Sequence, residues 1–158
     1  MSRSEVLVRR GAPSDAGVVA RQFVALWPDG SLAEHEAEAV AILSGVPAST
    51  LPLVVFVAEI DATVVGFVEV GLRSHADACD PSRPVGFIEG WYVEPEHRRC
   101  GVGRALVAAA EAWARSQGCT EMASDAQLDN SGSLQAHEAL GFEVVDRCVH
   151  FRKRLPVA

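Results

Sequence analysis

Between His97 and Val107 the chain reads HRRCGVGRALV, so that three potentially cationic side chains lead into two glycines just where an amphipathic run begins. The first turn of a helix has N–H groups without intrahelical acceptors and a partial positive charge, and glycine lets the backbone wrap closely around an anion. Gly101 and Gly103 occupy that turn, and Arg98, Arg99 and Arg104 can add charge-assisted hydrogen bonds. Such a turn suits a pyrophosphate; a tight turn with solvated arginines is the alternative. There is no third glycine in Gly-x-Gly-x-x-Gly register and no Gly-Lys-Ser/Thr, which sets aside the dinucleotide fingerprint and the P-loop. Cys100 is either a nucleophile at an anion-binding helix start or a small loop-filling residue.

Other chemistries find little support. Cys79, Cys100, Cys119 and Cys148 form no Cys-x-x-Cys pair, and His35, His75 and His150 are isolated, so no metal site is expected. Neither His35-Glu36 nor His137-Glu138 completes His-Glu-x-x-His, and no Gly-x-Ser-x-Gly elbow occurs. A formal net charge of -7 disfavours nucleic acid and anionic membranes as partners and favours cationic ligands. No apolar run approaches the roughly 20 residues of a membrane span, and MSRSEVLVRRGAP lacks a leader's apolar core, so a cytoplasmic protein is expected.

The elements that must position the glycine turn follow from periodicity. The 158 residues, 49% hydrophobic, fit one domain over residues 1–158. Val6 to Arg10 reads as a strand, and a helix with Val19, Phe23, Leu26 and Trp27 on one stripe runs to the stop at Pro28-Asp29-Gly30. Ser31 to Ser44 reads as a second helix with Leu32, Val40 and Leu43 inward. LPLVVFVAEIDATVVGFVEVGLRS is a hairpin about Asp61 and Ala62, and VGFIEGWYV is a further strand closed by Pro95. Val102, Ala105, Leu106, Ala109 and Trp113 mark a helix ending near Gly118. A strand CTEMASD, a helix ending at Gly141 and one or two closing strands in EVVDRCVHFRKRL complete an α/β order with a mixed sheet.

The longer pattern YVEPEHRRCGVG, continued by ALVAAAEAWARSQGCTEMASDAQLDNSGSLQAHEALGF, resembles the GNAT N-acetyltransferases: a strand, Arg-x-x-Gly-x-Gly opening a helix, then an asparagine-bearing loop and a helix ending in Leu-Gly-Phe. The resemblance implies a mixed, mostly antiparallel sheet flanked by helices, with a V-shaped splay between the strands around the glycine-turn helix. It implies acetyl-CoA, with the pyrophosphate on Arg99, Cys100, Gly101, Val102, Gly103 and Arg104 beside Arg98, and the pantetheine arm along Trp91, Tyr92 and Val93. The Val93 N–H would polarise the thioester carbonyl, and Gly90 would sit at the strand bulge that opens the splay. Asn130 matches the asparagine that bonds the cofactor arm. His137 departs from the pattern, standing where many relatives carry a tyrosine that protonates the leaving thiolate; it can serve as acid or as packing.

An amine attacks a thioester only when neutral, so a carboxylate must take its proton, directly or through water. Glu89 and Asp125, near the ends of the strands flanking the splay, are the candidates, with an arginine-paired rim position as the other reading of Glu89. GFIEGWYVEPEHRR, CTEMASDAQLDN and ALGFEVVDRCVHFRK resemble, more narrowly, the aminoglycoside 6'-N-acetyltransferases of that family. This implies that Glu89 and Asp125 hold and deprotonate the drug, Trp27 stacks on a sugar ring and Asp146 contacts a remote amine, in a homodimer. The loop after Arg73, SHADACD, lacks the tyrosine that relatives often place against the drug. Another small amine or a protein amine as acceptor, or a non-catalytic CoA-binding domain, are the competing readings.

Overall fold

A computed structural model describes residues 5–157, so the first residues of the stretch read as lacking a leader lie outside the described residues. The chain divides into two compact units, one reaching to Asp125 and one from Ala126 onward. In the first unit a five-stranded sheet runs in the order β1 (Leu7–Arg10), β2 (Leu53–Ile60), β3 (Thr63–Arg73), β4 (Val85–Val93), β5 (Met122–Ser124). The first three pairings are antiparallel, and β4 with β5 is parallel. Asp61 and Ala62 turn the β2–β3 hairpin with φ of 48° and 64°, the positive pair that a two-residue turn matching strand twist requires.

Three helices cover the sheet: α1 (Ala16–Leu26), α2 (Leu32–Leu43) and α3 (Val102–Ser116). α1 and α2 build a core in which Phe23 meets Phe67 of β3 edge to face at 5.0 Å, together with Val19, Ile42, Val55 and Val57. Ser31 begins α2 with a capping box: its hydroxyl accepts from the Glu34 N–H while Glu34 accepts from the Ser31 N–H. The inward face of α2 differs from the one expected. Leu32 and Val40 are exposed, and His35, Ala39, Ile42 and Leu43 are buried, because the spacing 35, 39, 42, 43 follows one helix face and carries a histidine inward that periodicity of apolar residues alone would not include. On α3 the buried stripe is Val102, Leu106, Val107, Ala110 and Ala114; Ala105, Ala109 and Trp113 flank it half-buried, one position off the expected row.

The second unit contains α4 (Ser131–Ala139), and residues 142–157 after it carry no regular secondary structure. The closing strands expected in EVVDRCVHFRKRL are not formed: no ladder among the described residues takes this stretch up, and a strand exists only through its neighbour's hydrogen bonds. Val145, Val149, Phe151 and Leu155 stand exposed along it.

Candidate active site

Strand β4 carries the site, and one irregularity shapes it. Glu69 of β3 pairs with Gly90, but the next residue, Val70, pairs with Ile88, so Glu89 is an extra residue without a partner on β3. This bulge falls where Gly90 led one to expect it, and it reverses the strand's alternation. Before it, Gly86 faces Ala114 of α3; after it, Gly90 faces the ring of Trp27 on the α1 side, and Trp91 faces Gly103 on the α3 side. A Cβ at Gly90 would stand 2.6 Å from the Trp27 ring, so only glycine admits that contact.

The splay follows from where β5 stops. Its three residues pair with Gly86, Phe87 and Ile88, and β4 runs on from Glu89 to Val93 with no further strand pairing on that edge among the described residues. Glu94 N donates to Val65 O at 2.8 Å, which makes residues 65 and 94 a hydrogen-bonded pair and 66 and 93 a non-bonded one. The backbone groups of Val93, and by the same alternation Trp91, therefore point to the open edge, whereas those of Tyr92 are spent on β3. The Val93 carbonyl accepts from Arg98 Nε at 2.8 Å, and Arg98 lies 5.6 Å from the Tyr92 ring. Tyr92 itself turns to the α1 side, stacked on Phe67 with its hydroxyl donating to Glu94.

At the end of that edge the glycine turn begins. Arg99 has φ 60° and Gly101 φ 87°, and α3 starts at Val102. The first helical bond is Ala105 N to Gly101 O at 3.0 Å, so the N–H groups of Val102, Gly103 and Arg104 precede any intrahelical acceptor. The two glycines serve different ends. Around Gly101 nothing lies within 4 Å of a Cβ position, and its need for glycine is the left-handed backbone. A Cβ at Gly103 would stand 3.0 Å from the Trp91 indole, so that glycine lets β4 and α3 approach. Arg98, Arg99, Cys100 and Arg104 are exposed around this open turn. The Cys100 thiol donates to Arg98 O at 3.4 Å.

Of the two carboxylates singled out in the sequence, Glu89 receives both arms of Arg73, Nε at 2.9 Å and Nη2 at 2.8 Å, and the guanidinium stacks 3.5 Å over Phe87. These bonds raise the Arg73 pKa, and Asp125 adds attraction, so Arg73 joins the two carboxylates electrostatically. Asp125 is exposed just after β5. Trp27 is half-buried at the end of α1, edge to face on Phe23 at 5.2 Å, and its carbonyl contacts His35 Nε2 at 3.0 Å. Arg73 and Glu69 were missed in the sequence. Glu69 lies 5% exposed on the face of β3 that carries Phe67, its Oε2 without a hydrogen-bond partner, and desolvation by burial, with Glu38 and Glu89 nearby, raises its pKa to about 8. A carboxylate in the middle of the apolar run VVGFVEVGL was the available signal.

In the second unit, Asn130 caps α4, its Oδ1 accepting from Ser133 N at 3.1 Å, which leaves its amide nitrogen as a donor. His137 Nδ1 contacts the Ser133 carbonyl at 2.7 Å, and a carbonyl only accepts, so Nδ1 bears the hydrogen and Nε2 the lone pair in the neutral ring. The ring packs edge to face on Phe142 at 5.3 Å. Asp146 is exposed and accepts from Arg147 N.

A mixed sheet in which β4 runs on past β5 and leads into a glycine turn at the start of a helix defines an acyl-CoA-dependent transferase architecture. The family profile described as acetyltransferase (GNAT) family matches residues 19–142, and the chain belongs to that family. Enzymes of this family use acetyl-CoA. The chain is 47% identical over 152 residues, 96% of its length and 99% of the relative's, to an aminoglycoside N(6')-acetyltransferase type 1 of Klebsiella aerogenes. It is 41% identical to the protein of the same description from Stenotrophomonas maltophilia, over 98% of this chain and 97% of that one. Among solved structures it resembles AAC(6')-Iy in complex with the bisubstrate analogue CoA-S-monomethyl-acetylneamine, with a TM-score of 0.85 and 34% identity over 96% of this chain and 100% of that one. The apo structure of AAC(6')-IG from Acinetobacter haemolyticus gives 0.83 and 32%, over 95% and 99%.

Proposed function

We propose that the protein transfers acetyl from acetyl-CoA to the 6'-amino group of aminoglycosides and so confers resistance. The observation that carries this reading is the open β4 edge, which joins a carboxylate at the bulge to an anion-binding turn within one strand and its exit. The relatives named above support the acceptor. Pyrophosphate oxygens meet the free N–H groups of Val102, Gly103 and Arg104, with Arg98 and Arg99 adding charge. The pantetheine amides run along Trp91 and Val93 as an added strand would, and the Val93 N–H polarises the thioester carbonyl.

The acceptor enters as a polycation. Glu89 and Asp125 attract its ammonium groups, which displace the Arg73 guanidinium from Glu89, and one of the two carboxylates, directly or through water, takes the proton that frees the amine. The neutral amine attacks the thioester carbon, the C–S bond breaks as the attacking nitrogen gives up its second proton to solvent or a carboxylate, and CoA thiolate takes a proton. His137 can supply it only as imidazolium, because its neutral ring holds the hydrogen on Nδ1. Half-buried Trp27 offers its ring to a sugar, Asn130 its amide nitrogen to the cofactor arm, and Asp146 its carboxylate to a remote amine. A cytoplasmic homodimer completes the reading: the four cysteines are free, and the exposed, alternating apolar stretch from Val145 to Leu155 suits a neighbouring chain.

The test is a thiol-release assay with purified protein across an aminoglycoside panel, with the acetylation position read by NMR. Turnover confined to aminoglycosides, with acetyl at N6', is expected. Turnover of polyamines or protein amines in preference would replace the acceptor, and CoA binding without turnover of any amine would leave a non-catalytic CoA-binding domain.

A further inference from the structure

Glu69 has no structural reason to be where it is. A carboxylate buried without a partner opposes folding, and the position, flanked by Val68 and Val70 and opposite Val55 on β2, would accept an apolar residue. Its surroundings are those of the proposed acceptor site. Across β4 it faces Gly90, one residue from Glu89 and beneath the Trp27 ring. The charged groups acting on it are Glu89 of β4 and Glu38 of α2, both acidic; α2 also brings His35, whose Nδ1 lies 3.7 Å from Glu38, while β2 presents Val55 and α1 presents Trp27. Glu89 is itself ion-paired with Arg73 at 2.8 Å.

We infer that Glu69 is the buried member of the acceptor's carboxylate set, a positioning residue that keeps its proton in the free enzyme and gives it up to solvent as a cationic acceptor arrives beside Glu89. The inference rests on the aminoglycoside reading above. An ammonium at the bulge brings positive charge against a group otherwise surrounded by acids, which favours the carboxylate form. The newly formed charge then holds the cation from the neighbouring strand, across the Glu69–Gly90 pairing and beside the Trp27 ring that packs over Gly90. Discrimination follows: a neutral sugar cannot ionise Glu69, whereas a polyamine sugar can.

The test is calorimetric titration of the CoA-loaded protein with neamine at pH 7, in two buffers of different ionisation enthalpy, for wild type and Glu69→Gln. Wild type is expected to release close to one proton more per neamine bound than Glu69→Gln, which binds about 10-fold more weakly while keeping its CoA affinity. Equal proton counts in the two proteins overturn the inference while leaving the function intact. If Glu69→Gln does not fold, Glu69→Met, which removes the polar atoms, is titrated in its place with the same expectation. Wild type that binds CoA but no neamine overturns the inference together with the reading it rests on.

Discussion

Replacing Glu69 by glutamine should change how stability depends on pH. Burial raises the carboxyl from the ordinary 4.5 to about 8, so the folded state holds the proton where the unfolded chain has lost it. Stability from the neutral form is therefore fully present below pH 4.5 and is lost progressively as pH rises toward 8. The 2.5 pH units separating 4.5 from 7, at ~1.4 kcal/mol each, make a cost of about 3 kcal/mol at neutral pH. Glutamine has the same shape and never ionises. At pH 4.5 the two proteins should lie within about 1 kcal/mol of each other. At pH 7 the variant should be the more stable by about 3 kcal/mol, which for a chain of this size moves the melting midpoint by roughly 6–12 °C. Thermal and urea unfolding of the free proteins between pH 4.5 and 8.5 measures this directly. Stability curves for wild type and variant that run parallel across the range would refute the reasoning, because a solvated Glu69 carries no such penalty.

Other substitutions separate the parts of the site. Gly101→Val places a β-branched residue at φ 87° and fills the open space of the turn, so acetyl-CoA KM should rise by roughly 10-fold or more with a stability loss of about 1–2 kcal/mol; steady-state kinetics and melting check both. Gly103→Val drives a side chain into the Trp91 indole and should cost about 1–3 kcal/mol, measured by urea unfolding. Glu89→Gln should lower kcat/KM for the aminoglycoside by at least roughly 100-fold while CoA binding, followed by calorimetry, stays unchanged. Arg73→Met removes the cation that competes for Glu89 and should change acceptor KM more than acetyl-CoA KM.

The glycine turn was legible in the sequence because both of its requirements are local: a left-handed residue at position 101 and a helix start one residue later. The strand VGFIEGWYV was legible for the same reason, and its glycine marked the bulge. What the bulge does was not, since the reversal of facing between Ile88 and Gly90 exists only in the register with β3. Glu89 was visible as a carboxylate without a place in a core, but its bond to Arg73 joins residues 16 apart through a cross-strand diagonal. Glu69 escaped notice because a strand read for its apolar pattern absorbs a single polar exception. The closing stretch misled in the opposite way: its alternation is that of a strand, and strand formation depends on a partner that the sequence of one chain does not specify.

The central claim is that a cationic 6'-amine, oriented by carboxylates at the bulge, attacks acetyl-CoA held on the open β4 edge and the glycine turn. The most direct measurement compares thiol release with paired aminoglycosides that differ only in an amine or a hydroxyl at the 6' position. The account predicts saturable turnover of the amine and none of the hydroxyl compound; equal turnover of both would contradict it.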